Sequence, residues 1–406
     1  MRHILILFIM LLLLNTVINA QDLPRCSERP LRADLPRVES RLWCIERPIF
    51  EQDAGELAFT AIEAMPDGRL YATRPLTGEL LVMLDSDGDA LPDNPTVVAR
   101  GMRFPNGLVY AEDALYIIGD GHIYRFAEDT LETIVDDLPV GQGFIASGIT
   151  YYDGWLYVGV PMPCDFCESD NDLHGTIIQI AMDGSQRRII AQGLRYPAAL
   201  AVWDAALWVT DTGRDDARSI AATDEINRID LDDLDSETIP HFGFPYCEGR
   251  ENEANFRADF DCNSTTQATL LLYTHSTPLA LQPYRGAAFP FLADDLLLVL
   301  GGSVNNDSIR GYQVVFIEQE GDTLFFETAL PSDRFIAGVD RVAYTSDGYL
   351  PLFAQRLNRR GAGVWPHRIF DVALSPEGWI YISVGGGQIF VLRPSDSDPC
   401  NYRGCQ

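Results

Sequence analysis

An acidic turn near the middle of the chain has the residue types that bind a hard divalent cation. Asp211 and Asp215 flank Gly213, and Asp216 follows directly. The glycine leaves main-chain carbonyls accessible, and calcium takes its oxygen ligands from carbonyls and carboxylates. We therefore expect this turn to hold Ca²⁺.

A second acidic segment reads Asp85-Ser86-Asp87-Gly88-Asp89-Ala90-Leu91-Pro92-Asp93. Acids at alternating positions around a glycine can converge on one calcium ion through a tight turn, much as in an EF-hand loop. The glycine position and the missing bidentate Glu at the end distinguish this segment from an EF-hand. A solvated hairpin is the alternative interpretation. The candidate ligands of this second, weaker site are Asp85, Asp87, Asp89 and Asp93.

Four motifs occur in one order between Gly193 and Gly249. They are Gly193-Leu194-Arg195-Tyr196-Pro197, the acidic turn after a strand-like run, Asp224-Glu225-Ile226-Asn227, and Phe242-Gly243-Phe244-Pro245. This order resembles that of the soluble pyrroloquinoline quinone (PQQ)-dependent sugar dehydrogenases, the glucose and sorbosone dehydrogenase family. The resemblance extends from about Glu56 to Pro394, nearly the whole mature chain.

The resemblance implies roles for individual residues. A planar, tri-anionic cofactor needs Arg to pair with its carboxylates and a cation to polarise its reactive carbonyl. The main-chain carbonyls of Gly213 and Arg214 match the positions that bind calcium beside the cofactor. The implied cofactor-binding residues are Arg195, Tyr196 (where the family has Asn), Asp224 and Arg368.

The general base is where the chain departs most from the family. The family places a catalytic His about ten residues before the third Asp-Gly turn, which is Asp153-Gly154 here. The corresponding residues 141–147 contain no His, Asp, Glu or Lys, and Gly143 lies near the base position. His275 matches a family His-Ser-Ala-Pro-Leu motif and is the candidate base; a structural role in a loop is the alternative for it.

Three functions follow from these observations. The first is an exported PQQ- and calcium-dependent dehydrogenase of aldose or sorbosone type, which oxidises a sugar by hydride transfer to the quinone. The second is a catalytically degenerate propeller of the same family that acts as a binding module. The third, a calcium-dependent lactonase, needs Glu, Asn and Asp side chains on one axial metal, and the sequence offers no matching set.

Short strands in a repeat must position these residues. A turn rich in acids and glycine, followed by an apolar and aromatic strand, recurs along the chain at a spacing of roughly 40–50 residues in its early copies, the period of four-stranded propeller blades. Together with the resemblance, this predicts an all-β fold, a six-bladed β-propeller. The copies begin at Pro66, Glu112, Asp153, Asp204, Ala293, Ser346 and Pro376.

Composition and targeting signals narrow the partners and the location. With 59 acidic and 30 basic residues, the net charge is −29, which argues against nucleic acid as a partner.

The apolar run Ile4–Leu14 after Arg2 and His3, with Ala20 as a small residue for cleavage, is typical of an export signal. No later segment approaches the roughly 20 apolar residues of a membrane span. We expect a secreted or periplasmic protein without stable membrane insertion, whose partner is a small sugar.

The eight cysteines fit an oxidising compartment. Proximity along the chain suggests four local disulfides, although other connectivities are possible. These are Cys26–Cys44, Cys164–Cys167, Cys247–Cys262 and Cys400–Cys405.

The continuity of the repeat predicts one propeller domain. Length alone would suggest two or three domains, but no Pro/Gly/Ser-rich linker interrupts the repeat, and a ring of blades buries its core between neighbouring sheets. The predicted divisions are a signal peptide (1–20), an N-terminal segment stapled by a disulfide (21–47), the propeller (48–394) and a C-terminal tail (395–406).

Overall fold

In the computed structural model of the protein, the described residues form twenty-five β-strands in six antiparallel sheets. The structure describes residues 35–36, 38, 42–141, 143–215, 223–234, 238–247, 259–303, 311–321, 323–330, 342–344 and 367–395. Within these residues there is no α-helix, only short 3₁₀ turns. The fold class predicted from the sequence is confirmed, because each sheet is one blade of a six-bladed propeller. The 3₁₀ turns are Pro75–Thr77, Leu231–Asp233, Cys262–Ser264 and Pro290–Leu292.

Blades 1 to 3 each contain four consecutive strands, from the innermost to the outermost. Blade 1 comprises β2 (Ile62–Ala64), β3 (Leu70–Arg74), β4 (Glu79–Met83) and β5 (Thr96–Arg100). Blade 2 comprises β6 (Gly107–Ala111), β7 (Ala114–Ile118), β8 (Ile123–Ala127) and β9 (Thr130–Val135). Blade 3 comprises β10 (Ile149–Tyr152), β11 (Trp155–Val160), β12 (Thr176–Ala181) and β13 (Arg187–Gln192).

Blades 4 to 6 follow the same plan with two variations, a fifth strand in blade 5 and an N-terminal strand in blade 6. Blade 4 comprises β14 (Leu200–Trp203), β15 (Ala206–Asp211), β16 (Asp224–Asp230) and β17 (Leu270–Leu272). Blade 5 comprises β18 (Pro278–Pro283), β19 (Leu296–Leu300), β20 (Gln313–Glu320), β21 (Thr323–Leu330) and β22 (Val342–Tyr344). Blade 6 comprises β23 (Ile369–Leu374), β24 (Ile380–Val384), β25 (Gln388–Pro394) and β1 (Trp43–Phe50).

The two ends of the described chain close the ring. Strand β1 pairs antiparallel with β25, so that Trp43 lies opposite Pro394 and Phe50 opposite Gln388. The register shifts between Glu46 and Ile49, around Pro48, whose ring nitrogen cannot donate to a ladder. Residues 43–47 of the predicted N-terminal segment therefore belong to the outer strand of blade 6.

Six of the seven predicted turn motifs connect the first and second strands of the six blades. Both central residues have positive φ angles in Glu112-Asp113, Asp153-Gly154 and Asp204-Ala205. Two left-handed residues form a type I′ turn, whose twist matches that of the flanking strands. The seventh copy, at Ser346, lies outside the described residues.

The hydrophobic core is divided among the six interfaces between neighbouring blades. The second strands β7, β19 and β24 are buried at every position because both of their faces pack against an adjacent sheet. Their sequences are consequently continuous apolar runs. The interface between blades 5 and 6 also contains Trp43, which is 1% exposed.

Two of the four predicted disulfides are present in the described residues, Cys164–Cys167 and Cys247–Cys262. The predicted partners Cys26, Cys400 and Cys405 lie outside them, as do the predicted signal peptide and all of the predicted C-terminal tail beyond Ser395. No helix in the described part of the chain is long and apolar enough to cross a membrane.

Ring closure predicts that Trp43 matters far more for stability than an exposed residue of similar hydrophobicity. Its ring lies 4.6 Å from that of Phe289 and 5.4 Å from that of Phe291, centroid to centroid. We expect Trp43→Ala to lower the free energy of unfolding by about 3–5 kcal/mol through lost burial and a residual cavity. Leu76, which is 70% exposed, is the control. Leu76→Ala should change the free energy of unfolding by at most about 0.5 kcal/mol. Equal denaturation midpoints for the two variants would contradict this account of closure.

Candidate functional site

A cavity of about 770 Å³ runs along the axis of the ring. All six blades contribute to its wall, because their innermost strands contact one another in sequence around the ring. The segments that precede these innermost strands, here called the entry loops, also line it. One lining residue from the entry loop of each blade, in order from blade 1, is Thr60, Asn106, Ser147, Ala198, Thr277 and Arg368.

Arg195 lies in the entry loop of blade 4 and is 1% exposed. Its Nη1 donates to the carbonyl of Thr212 at 2.9 Å, and its Nε donates to the carbonyl of Asp165 at 2.9 Å. Its Nη2 also forms ion pairs with the carboxylates of Asp165 and, at 3.5 Å, Asp215. The guanidinium is thus largely neutralised by the protein itself, so Arg195 shapes the cavity wall more than it supplies free charge.

The disulfide Cys164–Cys167 accounts for the position of Asp165 in this network. The two sulfur atoms close a tight loop around Asp165 and Phe166. Asp165 also accepts a hydrogen bond from the backbone amide of Asp215 at 2.9 Å. The disulfide loop of blade 3 therefore connects the entry loop of blade 4 to the acidic turn.

Two buried carboxylates hold the loops of blade 4 in place. Asp211 accepts hydrogen bonds from the backbone amides of Arg195 and Tyr196, the latter at 2.6 Å. Asp224 is fully buried and accepts hydrogen bonds from the amides of Gly213, at 2.9 Å, and Thr277, at 2.7 Å. Burial raises the pKa of Asp211 to about 6 and that of Asp224 to about 7, and these amides partly offset the effect. Asp224 does not line the cavity; it fixes the loops that do.

Tyr196 forms an aromatic part of the wall. Its hydroxyl donates to the carbonyl of Ile145 at 3.1 Å, and its ring lies 5.4 Å from that of Phe144. The guanidinium of Arg195 lies 4.5 Å from the centre of the Phe144 ring, which is cation–π distance. Burial raises the pKa of the Tyr196 phenol, so the hydroxyl stays protonated at neutral pH.

Arg368 is the predicted site residue whose charge is least satisfied. It lies in the entry loop of blade 6 and lines the cavity, and its backbone amide donates to Glu56 at 2.7 Å. Its Nε is buried and has no hydrogen-bonding partner within the part of the chain that the structure describes. Burial lowers the pKa of this guanidinium, which nevertheless remains charged, because the ordinary pKa of an arginine lies far above neutral pH.

His275 lines the same cavity as Arg195, Tyr196 and Arg368. Its φ angle of 64° places it in the left-handed region, within the entry loop of blade 5. The structure thus brings four of the predicted residues together around one space. Residues 143–145 and Ser147, around the expected base position, also line this space, and none of them can act as a base at neutral pH.

The residues predicted to bind calcium lie at the edge of this cavity. Gly213 and Arg214 follow Thr212, and Arg214 stacks on the ring of Phe166 at 4.1 Å. The hydrogen bond from the Gly213 amide to Asp224 orients this turn. Asp216 lies outside the described residues, and the main-chain carbonyls of Gly213 and Arg214 stay a prediction as ligands.

The second acidic segment forms a tight turn between β4 and β5. One carboxylate oxygen from each of Asp85, Asp87 and Asp89 lies within 4.8 Å of the other two. The Asp85 carboxylate also accepts hydrogen bonds from several backbone amides of this turn, and Asp93 accepts one from the amide of Ser86 at 2.8 Å. Both a calcium loop and a self-capped hairpin are compatible with these contacts, and Asp93 lies apart from the three converging acids.

Two acids on the cavity wall were not singled out from the sequence. Glu63 on β2 and Asp371 on β23 both line the cavity. Burial within the ring, with a smaller contribution from the charge of Asp371, raises the pKa of Glu63 to about 8. Burial likewise raises the pKa of Asp371 to about 7. The sequence did contain a signal for both acids, because a charged residue interrupts each of two apolar runs. These runs are Ile62-Glu63-Ala64 and Phe370-Asp371-Val372.

Comparison with solved structures identifies proteins of the same fold. The holo form of a pyranose dehydrogenase PQQ domain from Coprinopsis cinerea aligns with a TM-score of 0.64 at 15% identity, covering 88% of this chain and 98% of that chain. A calcium structure of a Carbohydrate-Active Enzymes Family AA12 protein from Trichoderma reesei aligns with a TM-score of 0.62 at 13% identity, covering 88% and 98%. The soluble aldose sugar dehydrogenase from Escherichia coli, in its apo form, aligns with a TM-score of 0.55 at 15% identity, covering 86% and 100%.

The chain has the fold of the PQQ-dependent sugar dehydrogenases. The coverage of both partners extends this likeness over the whole propeller. No protein-family model and no curated protein matches the sequence. At these identities the likeness establishes the fold, and the activity has to be argued from the residues of the cavity.

The raised pKa of Glu63 predicts a specific pH dependence of stability. A carboxyl group whose pKa rises from 4.5 to about 8 on folding binds its proton more tightly in the folded state. Its stabilising contribution is complete below about pH 4.5 and is lost as the pH rises through about 8. We expect Glu63→Gln to gain stability relative to the wild type between pH 5 and pH 9, measured as urea denaturation midpoints.

The control for this measurement is Glu128→Gln, a change in the exposed turn between β8 and β9. Its stability relative to the wild type should be the same at both pH values. A Glu63→Gln difference that is also independent of pH would show that Glu63 ionises as it does in water.

Proposed function

We propose that this protein is an exported PQQ- and calcium-dependent sugar dehydrogenase of aldose or sorbosone type. The observation that carries the proposal is the guanidinium of Arg368 at the cavity wall, whose buried Nε has no hydrogen-bonding partner within the described residues. Glu56 and Asp215 act on its charge from nearby, but a buried N–H donor without an acceptor is costly. A carboxylate of the cofactor would remove this cost through a charge-assisted hydrogen bond.

The remaining groups of the entry loops fit a planar anionic cofactor. The rings of Tyr196 and Phe144 offer flat apolar surfaces on one side of the cavity. The main-chain carbonyls of Gly213 and Arg214 would hold the calcium ion, since Asp224 fixes the backbone at Gly213. The volume of about 770 Å³ lies within the range of cofactor and substrate pockets.

The chemistry divides between the cofactor and the chain. PQQ, when bound, accepts the hydride from the sugar carbon. The protein must orient the sugar and take the proton of the hydroxyl group that is oxidised. His275 is the residue we assign to this proton, because it lines the cavity and carries a ring nitrogen that is neutral near pH 7 in an ordinary environment.

A second candidate function, a catalytically degenerate binding module of the same fold, rests on a different observation. Residues 143–145 and Ser147 form cavity wall without an acid, His or Lys. Arg195 is in addition neutralised by Asp165 and Asp215. A protein of this kind would bind an anionic or sugar ligand in the cavity without turning it over.

Cofactor binding should depend on Arg368. We expect Arg368→Gln to weaken PQQ binding about 10- to 100-fold, since a hydrogen bond to a charged group is worth about 1.5–3 kcal/mol. Binding is measured by titrating the purified protein with PQQ in the presence of Ca²⁺. Arg285→Gln, a change at an exposed arginine elsewhere on the same cavity wall, should leave the affinity unchanged. Equal affinities of wild type and Arg368→Gln would remove Arg368 from the cofactor site.

His275 should be required for catalysis, whereas the affinity for the cofactor should not depend on it. We expect His275→Asn to retain PQQ and to lower kcat for dye reduction with an aldose about 10²- to 10⁴-fold, the usual contribution of a general base. A wild-type protein that retains PQQ but reduces no dye with any aldose would favour the binding module. Failure of the wild type to retain PQQ would exclude the dehydrogenase.

A further inference from the structure

The acid pair formed by Glu63 and Asp371 belongs to the innermost strands β2 and β23, whereas the residues proposed to bind PQQ belong to the entry loops. The two side chains come from the innermost strands of adjacent blades, β2 and β23, which contact each other where the ring closes. The Asp371 carboxylate accepts a hydrogen bond from the amide of Ile62 at 2.8 Å, one residue before Glu63. Both side chains line the axial cavity.

Within the residues that the structure describes, neither acid of the pair forms the ion pair with an arginine that other shielded acids of this protein form. Glu79 is paired with Arg100, and Glu46 with Arg393. Glu63 and Asp371, by contrast, interact with each other and with backbone amides. The three arginines of the cavity wall do not lower the pKa of either carboxyl group; these arginines are Arg195, Arg285 and Arg368.

Aromatic residues of the next two blades line the same space. The backbone amide of Tyr110, on β6, donates to the Glu63 carboxylate. Tyr151, on β10, also lines the cavity, and its hydroxyl is bonded to Glu112 at 2.6 Å. Tyrosine rings beside carboxylates form a favourable surface for an organic cation.

We propose that the acid pair binds the primary ammonium group of a small organic ligand inside the channel. An ammonium group carries three donors and no acceptor, which complements two carboxylates that have no basic partner within the described residues. Calcium, by contrast, takes six to eight oxygen ligands, and the group of three acids in the described residues is Asp85, Asp87 and Asp89, which includes neither member of this pair. The cavity admits an organic molecule of sugar size.

Proton release distinguishes the binding of an ammonium group by this pair from the binding of an uncharged ligand. Glu63, with a pKa of about 8, holds a proton at pH 7, and Asp371, with a pKa of about 7, holds one part of the time. An ammonium group binds the ionised pair, so binding must displace roughly one to two protons per ligand. The phenols of Tyr110, Tyr151 and Tyr196 stay protonated near pH 7, because the pKa of each is raised above its ordinary value.

The test is calorimetric titration of the purified chain with 5-aminopentan-1-ol at pH 7, in two buffers of different ionisation enthalpy. We expect saturable binding, release of roughly one to two protons, and at least tenfold weaker binding by Glu63→Gln and by Asp371→Asn. The matched ligand control is pentane-1,5-diol, which has the same length and no charge. The matched protein control is Glu128→Gln, which should bind the amine like the wild type.

Four results would overturn the proposal. The first is equal affinity for the diol and the amine, and the second is unchanged affinity of both acid variants for the amine. The third is absence of amine binding by a wild type that still shows a cooperative thermal transition. The fourth is binding of Ca²⁺ that the two acid variants abolish, which would assign the pair to a metal. None of these results depends on PQQ, so the proposed dehydrogenase function is tested separately.

Discussion

The pairing of β1 with β25 is the constraint on which the cavity depends. Each blade has two apolar faces, and a ring of blades buries all of them only when the last blade meets the first. The N-terminal strand completes blade 6, and Trp43 fills the interface between blades 5 and 6. Closure also sets the innermost strands β2 and β23 side by side, which brings Glu63 next to Asp371.

Within the closed ring, buried carboxylates shape the site through the backbone. Asp211 and Asp224 accept hydrogen bonds from amides of the entry loops of blades 4 and 5 and of the acidic turn. Burial raises their pKa values, and the amide hydrogen bonds limit the rise. The charge of such a network orients a loop without reaching a ligand. Asp224 and Arg195 therefore hold the loops around the cavity in place. Arg368 is the residue whose charge is available to a ligand.

Local patterns in the sequence, together with the family resemblance, were sufficient to predict the fold and part of the site. Turns such as Asp153-Gly154 mark the end of an innermost strand, because a tight turn with two left-handed residues joins β10 to β11. The fifth strand of blade 5, which ends two residues before the predicted turn at Ser346, was not predicted. Arg195 was predicted as a cofactor ligand, but its partner Asp165 is 30 residues away, and no spacing rule connects them. Glu63 and Asp371 lie 308 residues apart and meet only through closure.

The most direct test of this account is a crystal structure of the protein grown with PQQ and Ca²⁺. The account predicts PQQ in the axial cavity beside Tyr196, with one of its carboxylates on the guanidinium of Arg368 and the calcium ion on the carbonyls of Gly213 and Arg214. A cavity that contains only solvent at saturating PQQ, with Arg368 bound to another part of the chain, would contradict it.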